Sequence, residues 1–376
     1  MAVVQNKLAN LKVAIVCDWL TSIGGAERVV LALHEIFPNA PIYTSQYDPN
    51  QVSWFKDIDV RTTWLQKLPK NNTFRKFLPV LRRIAFQKLD LREYDLVISS
   101  SGAEAKSVKK LKSGAIHVCY CHSPTHYYWS RYDEYIKEPG FGKLNPLARL
   151  GLKILSKPMR NWDFKVAQRP NYLIANSSHI QNKIKEYYKR DSIVIHPPVE
   201  IERFNKVAGT YPKSGFVAGG RQTPYKHFDL IIESCTKLNI PITIFGDGPM
   251  HEKLLASAGP SIKFMGELSD NEVPKYLASA VGFIFPVYED FGIIPVEAMA
   301  AGTPVIAYKA GGALDYINPK TGAFFNQQTT RSLSEAINNF IPSQYKKHDL
   351  LLEASKFSKE EFISNFKRLL DKICAE

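Results

Sequence analysis

The stretch Phe283–Ala307, FIFPVYEDFGIIPVEAMAAGTPVIA, constrains this chain more than any other. An apolar strand-like run passes through an acidic turn containing Gly292 into a helix of small residues, and a second strand opens at Thr303-Pro304. Two carboxylates, Glu289 and Glu297, stand eight positions apart. The first falls in a turn at the C-terminal end of a strand, the second about a turn and a half into the helix. Between them Phe291, Gly292, Ile293 and Ile294 offer backbone N–H groups at a helix start, where unpaired donors and the helix dipole hold an anion. A polyhydroxylated ligand carrying a diphosphate suits such a turn. Spacing alone favours a solvated turn followed by a helix-face residue, so the context must decide.

The rest of the chain repeats the strand–turn–helix theme. Val13–Val16 reads as a short buried strand, followed by Thr21-Ser-Ile-Gly24-Gly25 and an amphipathic helix from about Ala26 to Phe37. Strands are predicted at Tyr94–Ser99, Ala115–Cys121 and Asn171–Ala175, the last followed by Asn176-Ser-Ser as a helix cap. His122 stands at the C-terminal lip of a central strand, before a Pro and an aromatic-rich loop that includes His126. In the second half, strands at Gly215–Ala218, Pro241–Phe245, Val281–Pro286 and Pro304–Tyr308 alternate with helices, which implies a second parallel sheet. Pro197-Pro198 is a stiff join between the two halves. The fold class read from this pattern is α/β, with two doubly wound, Rossmann-like domains. The Gly24-Gly25 turn is not G-x-G-x-x-G, which argues against a dinucleotide-dependent dehydrogenase.

Charge separates the halves. Residues 1–190 carry 30 Lys/Arg against 15 Asp/Glu, whereas residues 191–376 carry 19 against 21, so only the first half is expected to meet an anionic surface. Its most basic segment, 61–92, interleaves Lys67, Lys70, Arg75, Lys76, Arg82, Arg83 and Lys88 with apolar residues. That mixture fits a helix lying on an anionic membrane and equally a solvated helix packed on its own domain. No nucleic-acid module is visible. Asp57-Ile-Asp59 lacks supporting context and reads as a solvated pair. The five cysteines show no disulfide or zinc spacing. With neither a signal-peptide core nor an apolar run of about 18 residues, the chain is expected in the cytoplasm, or peripheral on the inner membrane face.

In combination these motifs resemble the E-x7-E signature and its companions in the retaining glycosyltransferases of family 4, which have the GT-B fold. The resemblance runs over most of the chain. It implies an N-terminal acceptor-side domain over 1–197 joined by the C-terminal helix 358–376, and a nucleotide-sugar domain over 198–357, the two facing a central cleft. His122 matches a histidine that contacts the donor sugar, and Gly24 and Gly25 match a turn placed against the donor phosphate. Gly219 precedes Arg221 and Lys226, which match the cations facing the diphosphate. Gly246, Asp247 and Gly248 match a turn beside the nucleotide, and Met265 and Leu268 fall in the segment lining the base. Glu289 and Glu297 would bond the sugar and ribose hydroxyls. The family form E-x-F-G-L-P-x-x-E is altered here, because Pro295 stands one position later. The wording also resembles bacterial mannosyltransferases that use GDP-mannose in surface-polysaccharide assembly, with a lipid-linked or glycan acceptor. No metal or cofactor is expected beyond the nucleotide-sugar donor. A UDP-sugar enzyme of this fold, a nucleotide-sugar epimerase and a non-catalytic nucleotide-sugar binder are the alternatives.

Overall fold

The computed structural model describes residues 11–69, 78–139 and 142–375. The chain divides into two compact units, Met1–Pro197 with Phe362–Glu376, and Pro198–Glu361.

The first unit is built on a seven-stranded parallel sheet. Its members are β1 (Val13–Cys17), β2 (Ile42–Thr44), β3 (Val60–Thr62), β5 (Leu96–Ser101), β7 (Ile116–Cys121), β8 (Tyr172–Ala175) and β9 (Ile193–Val194), in the order β3-β2-β1-β5-β7-β8-β9. Two short strands, β4 (Asp90–Leu91) and β6 (Lys110–Leu111), pair separately. β1, β5 and most of β7 are buried, as expected in a parallel sheet covered on both faces. The helices are α1 (Gly25–Ile36), α2 (Pro79–Lys88), α3 (Tyr132–Lys137), α4 (Asn145–Ala167) and α5 (Ser178–Tyr188). Ser177 caps α5 by accepting from the Ile180 N–H.

The second unit begins with the short helix α6 (Glu202–Asn205) and carries a six-stranded parallel sheet in the order β12-β11-β10-β13-β14-β15. These strands are β10 (Phe216–Gly219), β11 (Ile242–Phe245), β12 (Ile262–Phe264), β13 (Gly282–Phe285), β14 (Val305–Tyr308) and β15 (Gly322–Phe325). They alternate with α7 (Phe228–Leu238), α8 (His251–Ala256), α9 (Val273–Ala278), α10 (Ile293–Ala300), α11 (Thr330–Asn338) and α12 (Lys347–Ser355). Pro295, Val296, Ala298, Met299 and Ala300 of α10 are all buried, along with the single carboxylate Glu297, so this mostly apolar helix lies inside the unit.

The final helix, α13 (Lys359–Ala375), buries Phe362, Phe366, Leu369, Leu370 and Ile373 in the same core as β1, β5 and β7. Its apolar face thereby belongs to the first unit, although the chain reaches it only after completing the second. All five cysteines are free thiols. No helix among the described residues is long and apolar enough to cross a membrane.

Candidate functional site

In the second unit, the loops after β10 and β13 leave adjacent parallel strands and therefore emerge side by side. The loop after β13 carries Glu289 and ends at Gly292, which adopts φ 89° and is the residue before α10. A Cβ there would stand 2.8 Å from the Tyr316 hydroxyl and 2.9 Å from the Phe285 ring, so the turn demands glycine on both conformational and steric grounds. Tyr316 also donates to the Phe291 carbonyl at 2.9 Å, and the Gly312 N–H donates to the Glu289 carbonyl at 2.9 Å. The turn is thus held from behind by the Gly311–Asp315 segment. No side chain caps the start of α10.

The loop after β10 brings in the cations. Lys226 ends the helical turn Pro224–Lys226, and its ammonium is in direct ion-pair contact with the Glu289 carboxylate. Gly220 lies close by: a Cβ on it would meet Ile294 at 3.3 Å and the Lys226 Nζ at 3.9 Å. Lys226, Glu289 and the first turn of α10 are therefore gathered in one place. Arg221 is exposed and, among the described residues, engages no carboxylate. Glu297 is buried, with an Arg203 nitrogen from α6 3.7 Å from its Oε1. Arg203 also donates to the Asp270 carbonyl at 2.9 Å.

The Gly246-Asp247-Gly248 turn lies against the same loop. Gly219 faces the Phe245 ring, and a Cβ on Gly246 would strike the Gly220 carbonyl. Gln222 joins the two loops: it is fully buried, its N–H donates to the Asp247 carbonyl at 2.8 Å, and its Nε2 donates to the Gly246 carbonyl at 2.7 Å. Its Oε1 lies 2.9 Å from His251 Nδ1. Nothing in the sequence singles out Gln222 except its place directly after Arg221. Met265 and Leu268 are partly buried and pack against the core that includes α10.

In the first unit, His122 follows β7 directly. Its Nε2 lies 2.7 Å from the Ser100 Oγ, its N–H donates to the Ser101 carbonyl at 3.0 Å, and Asn176 donates to its carbonyl at 2.9 Å. The following loop is anchored by groups the sequence reading did not identify. Asp163 of α4 is fully buried, 2.9 Å from the Lys106 ammonium, and accepts from Thr125, Trp129 and Tyr188 at 3.1, 2.7 and 2.7 Å. Burial, the largest single influence, would lower the Lys106 pKa, but the charge and hydrogen bond of Asp163 together with smaller contributions from neighbouring groups raise it and hold the ammonium charged. Glu104 accepts from Arg82 Nε at 2.6 Å and from the Tyr127 hydroxyl. Burial pushes the Glu104 carboxyl upward, opposed by the Arg82 charge. Asp18 accepts from the Gly102, Ala103 and Ala105 amides at 2.7, 2.9 and 2.7 Å. His126 contacts Ser130 and Ser123 of its own loop.

Two expectations meet a different environment. A Cβ on Gly24 would stand 3.0 Å from a Glu27 carboxylate oxygen, so the Gly24-Gly25 turn at the start of α1 lies beside an acidic group of its own helix. In the basic segment, α2 covers only 79–88, and Lys70, Phe74, Arg75, Lys76 and Phe77 lie outside the described residues. Arg82 turns inward to Glu104 and the Trp19 ring, while Leu78 and Phe86 are buried. This helix therefore does not present its whole basic row to solvent. Asp59 of the D-x-D pair is bonded to Arg61. Among the described residues no group of three or more His, Cys, Asp or Glu side chains is gathered as metal ligands.

Two parallel sheets, with loops converging at their strand C-termini, place the chain in the α/β GT-B class. It resembles Anabaena HepE, solved in complex with UDP and glucose, at a TM-score of 0.67 and 18% identity over 96% of this chain and 99% of that one. Sucrose-phosphate synthase from Thermosynechococcus elongatus gives a TM-score of 0.69 at 18% identity, over 96% and 99%. Residues 23–203 match the family model described as Glycosyltransferase Family 4, and residues 200–357 the model described as Glycosyl transferases group 1. Together the two matches run over most of the chain, which belongs to the glycosyltransferases. A glycosyltransferase of Methanocaldococcus jannaschii is 28% identical over 195 residues, 50% of this chain and 54% of that protein. The 2-deoxystreptamine glucosyltransferase of Streptomyces kanamyceticus is 33% identical over 33% of this chain and 35% of its own. The human alpha-1,3/1,6-mannosyltransferase ALG2 is 23% identical over 93% of this chain and 94% of its own.

Proposed function

We propose that this glycosyltransferase moves a hexose, with mannose from GDP-mannose favoured, onto a lipid-linked or glycan acceptor, with retention of anomeric configuration. The observation that carries the reading is the grouping of Lys226, Glu289 and the uncapped start of α10 around one loop. A leaving diphosphate there would meet a point charge and oriented amides, which stabilise the charge that develops as the sugar departs. Arg221 supplies the second cation, Glu289 bonds the sugar hydroxyls and Glu297 the ribose. His122 is assigned to the donor sugar by its match to the family histidine. The bond from the anomeric carbon to the phosphate oxygen breaks while the bond to the acceptor oxygen forms on the same face, and the acceptor proton passes to the departing phosphate. In this proposal the cations and amides meet the diphosphate without a metal.

The mannose reading draws support from the similarity to ALG2 along nearly the whole chain. A UDP-sugar donor is the second reading, favoured by the structural likeness to HepE in complex with UDP. Thermal denaturation with GDP, UDP, ADP and TDP in EDTA separates them, because a ligand at about 100 times its dissociation constant stabilises by roughly 2.7 kcal/mol. A shift with GDP alone supports the mannose reading, and a shift with UDP alone replaces it. If the donor is consumed without an acceptor and yields another nucleotide sugar, the protein is an epimerase. Donor binding without turnover identifies a non-catalytic binder.

A further inference from the structure

Helix α4 is apolar on two faces. Met159, Trp162 and Val166 point into the first unit, where Asp163 meets Lys106. In its N-terminal half, however, Leu147, Leu150, Ile154 and Leu155 are 68, 55, 63 and 48% exposed. Leu147, Leu150 and Ile154 recur at intervals of three and four and so lie on one stripe of the helix surface, turned to solvent, with Leu155 exposed on its flank. An outward apolar stripe on a helix that already has a buried face marks a binding surface.

Charge identifies the occupant. From Asn145 to Trp162 there is no acidic residue, but there are Arg149, Lys153, Lys157 and Arg160. Arg149 donates to the Ile136 and Lys137 carbonyls, and Arg160 lies over the Trp129 and Tyr132 rings. Lys153 and Lys157 are exposed, one turn apart, along the edge of the stripe. Alongside, Arg83 of α2 lies over the Trp162 ring at 4.7 Å, and Ile84 of α2 is 40% exposed. A second copy pairing through this face would set lysines against lysines, a repulsive arrangement. Leucines bordered by lysines match instead an acyl–headgroup boundary with anionic lipid.

We propose that the outward face of α4, with α2 beside it, docks the chain on an anionic lipid bilayer. The surface thereby extends from α2, within the 61–92 segment, to residues 147–157. It deepens the lipid-linked-acceptor reading by giving that acceptor's membrane a docking place, yet it rests on α4 and not on the identity of the donor.

The test is flotation of the full chain with phosphatidylcholine vesicles, with and without phosphatidylglycerol, at low and high salt. Binding should require the anionic lipid and weaken with salt. The double variant Lys153→Gln/Lys157→Gln should lose roughly fivefold per lysine. Leu147→Gln/Ile154→Gln should lose at least about tenfold. Since these side chains are exposed, both variants should keep the wild-type melting temperature; Leu147→Ala/Ile154→Ala replaces the glutamine pair should that one misfold. Absence of binding by the wild-type chain, or binding that neither pair weakens, overturns the proposal. So does a wild-type dimer that the leucine–isoleucine variant converts to a monomer while no vesicles bind. A nucleotide shift without vesicle binding refutes the docking surface alone, and vesicle binding without any nucleotide shift refutes the donor reading alone.

Discussion

Lys226 and Glu289 are in direct ion-pair contact, although they come from loops after different strands of the second sheet. Their side chains retain only 12 and 21% exposure, so the cost of desolvating the two charges offsets much of their attraction and the pair is a weak source of net stability. Its expected importance is to catalysis. Lys226→Met should lower kcat/KM for sugar transfer by about 100- to 1,000-fold, the usual loss on removing a group that stabilises transition-state charge. The melting temperature should scarcely move. A variant within fivefold of wild type would take Lys226 out of the reaction.

The Ser100 hydroxyl holds one nitrogen of His122 at 2.7 Å. Ser100→Ala frees the ring to turn and should cost about 1 kcal/mol of orientation, roughly fivefold in transfer rate. His122→Ala should cost much more. Equal losses in the two variants, or none in either, would separate Ser100 from any positioning of this ring.

Asp163 and Lys106 form a buried pair under the loop after His122. Asp163→Asn leaves the ammonium uncompensated and removes a shared acceptor for Trp129 and Tyr188, so the chain should lose about 3–5 kcal/mol of stability. Urea unfolding measures this directly. A loss below about 1 kcal/mol would mean that the neighbouring groups reorganise around the change.

Legibility in the sequence followed how local the determining interaction was. β1, β7 and β13 are short apolar runs bounded by turns, and their own composition declares them. The Glu289–Glu297 turn was readable for the same reason: glycine, carboxylates and a small-residue helix lie within a few positions. By contrast α4, at 23 residues the longest helix among the described residues, contains Gly151 and Pro158, residue types that weaken a helical pattern. Burial of Met159, Trp162 and Val166 outweighs them. Arg82 looked like one more cation on a basic face, and only its buried partner Glu104 explains its inward turn. Asp18, Asp163 and Gln222 were invisible because their partners are backbone amides and side chains distant in sequence.

Gly292 and Gly266 both have positive φ, but only Gly292 is crowded: nothing lies within 4 Å of the place a Gly266 Cβ would occupy. Gly266→Ala should therefore cost only backbone strain, about 1 kcal/mol, whereas Gly292→Ala adds a collision with Tyr316 and Phe285 and should cost about 2–4 kcal/mol. Because Gly292 begins the α10 site, its variant should also lose the nucleotide-induced thermal shift. Equal melting temperatures for the two variants would show that the turn yields easily.

His117 gives the stability a specific pH dependence. It is buried in β7, its Nε2 lies 2.8 Å from the Ser99 hydroxyl, and its Nδ1 has no hydrogen-bond partner. Burial, with a smaller contribution from the Arg169 charge, pushes its pKa from 6.5 down to about 3. The folded chain thus keeps a neutral ring where the unfolded chain binds a proton. Between pH 6.5 and about 3 the unfolded state holds the extra proton, so stability rises with pH across this window and is complete above it. The slope from this one group approaches about 1.4 kcal/mol per pH unit. Other carboxylates and histidines titrate in the same interval, so the informative quantity is a difference between proteins. His117→Gln keeps a group able to bond Ser99 and cannot be protonated. Urea unfolding from pH 7 to pH 4 should give a shallower loss of stability for this variant, the two curves converging as pH falls. Parallel curves would mean that the His117 site admits a charged ring in the folded chain.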